Sequence, residues 1–214
     1  MTTGMARSIA TTLMTSALAG ALASEYVPPR WLNGDMPATP VLAVSAGEVR
    51  LELLVASDGR VSSVDVLRTT PPFTDSMIAA VRGWRFEPAS IGSKDVEARV
   101  LVAGMFAPPS LTAPTLGEAP QTLHSPSSDV PAPASTSQAP YPPRAIGNGA
   151  VLVDVTVGPA GGAPVDARIV VSSPAFDAAA LAAARSWSFE PAQRDGRAIT
   201  AHAYLLFAFR QPVR

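Results

Sequence analysis

Glu87 and Glu190 are the first residues to weigh for chemistry, because paired carboxylates support acid and base catalysis when both reach one reacting centre. They stand in one repeated phrase, Trp84-Arg85-Phe86-Glu87-Pro88-Ala89 and Trp187-Ser188-Phe189-Glu190-Pro191-Ala192, 103 positions apart. Equivalent places in separate copies make them capping or surface-pairing groups rather than a catalytic pair. The two histidines, His124 and His202, fall in a proline-rich stretch and a strand. Neither has Asp, Glu or Cys at ligand spacing, so no metal centre is expected. Ser172-Ser173 and Thr69-Thr70 lack a histidine nearby in sequence to activate a hydroxyl, and read as strand-end and turn residues. Asp58-Gly59, Asp195-Gly196 and the glycine runs at 147–149 and 158–162 are turn chemistry without the helix start that a phosphate loop needs. Trp84 and Trp187, at a repeated helix-to-strand joint, read as core rather than as a ligand platform. The side chains therefore predict neither an enzyme nor a cofactor, which leaves binding through backbone and apolar surface.

The repeat reaches beyond the hexapeptide. Thr69-Thr70-Pro71-Pro72-Phe73 lies over Ser172-Ser173-Pro174-Ala175-Phe176, Arg82 over Arg185 and Phe106 over Phe209, and Tyr26-Val27-Pro28-Pro29-Arg30 echoes Tyr141-Pro142-Pro143-Arg144. Two copies of one module must share one architecture. In the first, Val49, Leu51, Leu53 and Val55 alternate with Arg50 and Glu52, Ser57 to Arg60 supplies a hairpin turn, and Val61 to Leu67 returns. Val151 to Val157 and Val165 to Val171 repeat the hairpin. A short helix follows in each copy, Asp75 to Arg82 capped by Thr74 and Ala178 to Arg185 capped by Asp177. Neither persists without packing. A third strand closes each copy, Val96 to Phe106 and Ile199 to Arg210. In the latter Ala201, Ala203, Leu205, Phe207 and Phe209 face inward, while Thr200, His202, Tyr204, Leu206 and Ala208 make an outward set that is not very polar. The expected fold class is α+β: two small modules, each strand-strand-helix-strand, with a three-stranded antiparallel sheet packed on one helix.

The chain has 214 residues, no cysteine and a formal net charge of −1. With a pI near 6.1 it lacks the basic footprint of a nucleic-acid binder. Residues 1–23 place Arg7 before an uncharged stretch ending Ala21-Leu22-Ala23, the layout of a secretory signal peptide and too short to span a bilayer. The expectation is export to the periplasm without a membrane span in the mature form; the alternative is an uncleaved leader anchoring the chain in the inner membrane, facing the periplasm. Residues 107–140 hold eight prolines and no aromatic, lysine or arginine. Such a composition predicts a flexible linker between module 1 (24–106) and module 2 (141–214) that lets them act independently.

Tyr-Pro-Pro-Arg-Ala at 141–145, the alternating strand, the Ser-Ser-Pro turn, the alanine-rich helix and Trp-Ser-Phe-Glu-Pro-Ala before Asp195-Gly196 together resemble the C-terminal domain of TonB proteins. Residues 26–107 resemble it more loosely. The resemblance implies a periplasmic module that binds outer-membrane receptors by accepting a short segment as an added strand, and therefore envelope or outer-membrane protein segments as partners. An open sheet edge is a pairing template, and strand addition draws its affinity from main-chain hydrogen bonds. The last strand, 201–209, is the expected docking edge, with Ala201, His202, Ala203, Tyr204, Leu205, Leu206 and Phe207 at the contact and His202, Tyr204 and Leu206 setting selectivity. Ala98, Arg99, Val100, Leu101 and Val102 are the module 1 equivalents. Two alternatives stand beside this reading: an anchored TonB energy transducer, and a structural envelope protein whose modules pair with each other or in a homodimer.

Overall fold

The computed structural model describes residues 26–40, 43, 45–108 and 119–212, so the expected leader lies outside the described residues. The first half runs β1 (Tyr26–Val27), β2 (Arg30–Asn33), β3 (Gly47–Val55), β4 (Val61–Thr69), α1 (Phe73–Val81), β5 (Arg85–Glu87), β6 (Ala89–Ile91), β7 (Lys94–Val96) and β8 (Ala98–Phe106). The second runs β9 (Gln121–Thr122), β10 (Ala132–Ser135), β11 (Gly149–Val157), β12 (Asp166–Val171), α2 (Asp177–Arg185), β13 (Ser188–Glu190), β14 (Gln193–Arg194), β15 (Arg197–Ala198) and β16 (Ala201–Phe209). Each half contains the expected hairpin, helix and third strand.

Hairpin and helix are joined the same way in both halves. Thr74 and Asp177 were expected as N-caps, but each lies inside the first turn and reaches backwards. Thr74 Oγ1 accepts from Thr70 N at 3.0 Å, and Asp177 Oδ1 accepts from Ser173 N at 2.8 Å. The helix is thereby tied to the strand-end turn instead of to its own first amides. Immediately before these residues, Phe73 and Phe176 stack on Phe106 and Phe209 at centroid distances of 4.4 and 4.6 Å. A β-carbon on Gly47 or Gly149 would overlap those rings, so the first strand of each module starts where only a hydrogen fits.

The halves do not form two sheets. Seven strands make one sheet in the order β12-β11-β16-β8-β3-β4-β9. At its centre β16 and β8 run parallel, from Ala203 opposite Leu101 to Ala208 opposite Phe106. Parallel pairing of equivalent strands relates the modules by rotation about the strand direction, which puts α1 and α2 on opposite faces. The packing shows it. Val153, Val155, Leu205 and Phe207 cluster with Ala180 and Ala184 of α2, whereas Leu152, Tyr204 and Leu206 cluster with Phe73, Met77 and Val81 of α1. Tyr204, Leu206 and Ala208 of the outward set, too apolar to face water, thus lie on the core of module 1, while Thr200 stays exposed. Trp84 and Trp187 are fully buried, and their ring N–H groups donate to Asp35 O and Ser137 O, each at 2.9 Å.

The described part of the expected linker, 119–140, is docked rather than free. β10 pairs with β13 as β2 pairs with β5, so Ala132–Ser135 is a strand of module 2. The upstream echo also shifts: Ala145 N donates to Pro142 O at 3.1 Å just as Ala43 N donates to Pro40 O. Tyr141-Pro142-Pro143-Arg144 therefore corresponds to the segment beginning at Thr39, and Tyr26 to Arg30 belongs to an arm instead. Each arm crosses to the other module. Trp31 N donates to Tyr204 Oη at 2.7 Å, while Ser127, through N and Oγ, donates to Glu52 at 2.7 and 2.6 Å. Val130 and Ala139, each 2% exposed, close the α2 side of the core. With each module supplying the other's cover, they are not independent units.

Candidate partner-binding edge

The expected docking strand occupies the interior of the sheet. Along its whole length β16 pairs antiparallel with β11, and from Ala203 to Ala208 its other side is taken by β8. Ala203, Tyr204, Leu205, Leu206 and Phe207 are buried with no free backbone edge, so, against the expectation from sequence, a visiting strand has no place there. The same holds for Leu101 and Val102 in β8. Ala98, Arg99 and Val100 pair with β3, and Ala201 and His202 with β11, beyond the end of the parallel register.

Where the seam ends, a cavity of about 460 Å³ opens, lined by Val27, Pro28, Arg30, Glu87, Asp95 and His202 among others. His202 Nδ1 lies 2.6 Å from Asp154 Oδ1, and Asp154 Oδ2 accepts from Arg168 Nη2 at 2.6 Å. The repeat supplies the counterpart, since Arg99 Nε lies 2.8 Å from Glu52 Oε1. Asp154 and Glu52, 1% and 3% exposed, are buried carboxylates matched by cations on neighbouring strands. Glu87, by contrast, pairs with Arg30 in the open, and Glu190 is exposed in the other module. No cluster of three metal-ligating side chains occurs among the described residues.

The phenol of Tyr204 is pushed above its ordinary value of 10.0, first by burial and then by the negative charge of Asp154. It stays protonated, accepting from Trp31 N while its hydroxyl faces Pro29 O at 3.5 Å. Arg168 is held above its ordinary value chiefly by its hydrogen bond to Asp154. These groups fasten the arm and the hairpin to the sheet.

The open edges lie at the flanks. On one flank β4 carries β9: Arg68 and Thr69 pair with Thr122 and Gln121, and the amides of Leu123 and His124 donate to Leu67 O at 2.8 and 3.3 Å. On the other flank β12 has β11 as its single neighbour among the described residues. Its Ala167 and Ile169 turn towards the α2 side, its Asp166 and Arg168 are exposed, and Val170 and Val171 are half-buried. By the repeat, Val170-Val171-Ser172 corresponds to Leu67-Arg68-Thr69, the stretch that β9 covers in module 1.

Hairpin, helix and closing strand thus recur in tandem, with one flank of the shared sheet capped by β9 and the other without a further strand among the described residues. The family described as Gram-negative bacterial TonB protein C-terminal matches residues 42–108 and 137–210. The chain belongs to the TonB C-terminal family. Both segments match, so the more loosely resembling first module belongs to the family together with the second. No curated protein matches the chain. TonB C-terminal domains are interaction modules of the bacterial envelope rather than enzymes, and they engage outer-membrane receptors. No helix among the described residues is long and apolar enough to cross a membrane.

Signals for the sealed seam were present. Ala98–Phe106 and Ala201–Phe209 have no polar alternation from the third residue on, and near-continuous apolar runs mark parallel strands buried on both faces.

Proposed function

We propose that this TonB-like protein is a non-enzymatic periplasmic binder that takes up an extended segment of an envelope or outer-membrane protein as an eighth strand beside β12. The observation carrying this reading is β9. A short piece of the chain's own Pro-rich segment is added to the edge of β4, and the corresponding edge of β12 has no such cover among the described residues. A half-buried apolar edge in that state is a pairing template. An incoming strand would set alternate apolar residues beside Ile169 of β12 and Leu181 of α2, and a polar or acidic residue beside Arg168. About five main-chain bonds at roughly 0.5–1.5 kcal/mol net each give a weak, reversible contact.

The test is photo-crosslinking in intact cells from position 171 and, for contrast, from position 204. Position 171 should trap a segment of an envelope protein, the trap should disappear in Val170→Lys/Val171→Lys, and position 204 should trap nothing. Capture that survives the double lysine change defeats this reading.

The seam itself favours a second function, a structural one in which the modules pair with each other. It is compatible with the first, because the seam lies between β16 and β8 and does not involve β12.

A further inference from the structure

We propose that the cleft between β4 and the β9 strap is a binding site for a small oxyanion of phosphate type. Arg50 and Arg68 stand directly opposite each other in the β3–β4 register. Like charges facing across an antiparallel pair destabilise it unless something lies between them. Here a single carboxylate does: Glu48 Oε1 is 2.6 Å from Arg50 Nη2, and Glu48 Oε2 is 3.1 Å from Arg68 Nε. Two cations on one anion leave one positive charge unmatched, in side chains only 21% and 25% exposed. That charge borders a cavity of about 160 Å³ also lined by Thr122, His124 and Ser125 of the strap, and among the described residues no carboxylate lines it. Arg68 Nη1 already donates to Thr122 Oγ1 at 2.7 Å, so the floor and the strap meet in the cavity wall.

A guanidinium pair with hydroxyl and imidazole donors opposite is the donor set that recognises tetrahedral oxyanions, because each oxygen finds a charge-assisted hydrogen bond. Bound there, the ion completes the neutralisation that Glu48 begins. It also joins the sheet floor (Arg50, Arg68) to the strap (His124, Ser125), and so holds β9 on β4. Occupancy of the cleft and capping of that edge are thereby one equilibrium.

The experiment is calorimetric titration of the full chain with inorganic phosphate at constant ionic strength, with hydrogen exchange at the Leu123 and His124 amides as a second readout. Saturable one-to-one binding is expected, with slower exchange at both amides. Arg50→Gln should weaken binding by about tenfold or more, as loss of a charge-assisted pair does. His124→Gln, at an exposed strap position outside the core, should weaken it too without touching the fold, while Arg144→Gln, far along the chain, should not. Flotation with phosphatidylglycerol vesicles separates the sources of the phosphate: flotation that depends on Arg50 assigns a lipid headgroup, and phosphate binding without flotation assigns the free ion. Absence of both, or phosphate binding indifferent to Arg50→Gln and His124→Gln, overturns the site.

Discussion

Tyr204 shows how a residue chosen for one role performs another. Its ring stands edge-on to Phe86 at 5.7 Å and its hydroxyl accepts the amide of Trp31, so it joins β16 of module 2 to the arm of module 1. Tyr204→Phe keeps the ring and strands the amide. The expected cost near neutral pH is about 1–2 kcal/mol, read by urea unfolding. The pH dependence has a definite sign. Since the folded phenol titrates above 10.0, the native state holds its proton where the unfolded chain loses it. Its contribution is therefore complete below about pH 10 and fades as pH climbs towards the raised value. The stability gap between wild type and Tyr204→Phe should narrow above pH 10. Tyr26, also raised mainly by burial, adds an alkaline loss common to both proteins and leaves that comparison intact. A gap that stays constant from pH 8 to 11 contradicts the account.

The hairpin and helix of each module are local products of sequence and were legible as such. Alternation gave β3 and β11, turn residues gave their returns, and the alanine-rich run gave α2. The caps depart from what residue type suggests because Thr74 and Asp177 satisfy amides four residues back, a choice made by the strand-end turn and not by helix propensity. β9 and β10 were invisible for a different reason. Prolines, serines and alanines bury little, so composition says linker. What orders them is main-chain pairing to β4 and β13 and the two bonds from Ser127 to Glu52. The repeated glycine under the repeated phenylalanine makes a prediction about these elements. In Gly149→Ala the new methyl meets Phe176, which is already stacked on Phe209, so β11 or α2 must shift. Overpacking of this kind costs about 1–3 kcal/mol. Gly147→Ala, two positions away where a β-carbon meets nothing, carries only the backbone strain of its φ of 86°. Thermal unfolding of both variants beside Gly47→Ala measures the difference: Gly47→Ala and Gly149→Ala should fall together, as the repeat requires, and unequal losses would mean that the modules pack their helices differently.

In the whole molecule the deciding event is the parallel seam, a contact between residues about 100 positions apart in which the apolar runs mark buried strands but no local pattern names the partner. The apolar outward faces hinted that something covers them; they did not say that the cover was the other module. Because β16 has partners on both sides and each arm lies on the opposite half, neither module has a complete core alone. The full chain should therefore unfold in one cooperative transition, with far-ultraviolet ellipticity and tryptophan fluorescence from Trp31, Trp84 and Trp187 tracing coincident curves in denaturant. A fragment of residues 119–214 removes β8 from β16 and the arm from Tyr204. It exposes Tyr204, Leu206 and Ala208 together with an unpaired edge, an arrangement that invites edge-to-edge association. Light scattering across a dilution series should find that fragment self-associated or insoluble where the full chain is monodisperse. Hydrogen exchange should show β16 losing the protection that the seam confers. Two separable transitions in the full chain, or a monomeric fragment with β16 still protected, would return the modules to independence and leave the seam as a weak contact between finished domains.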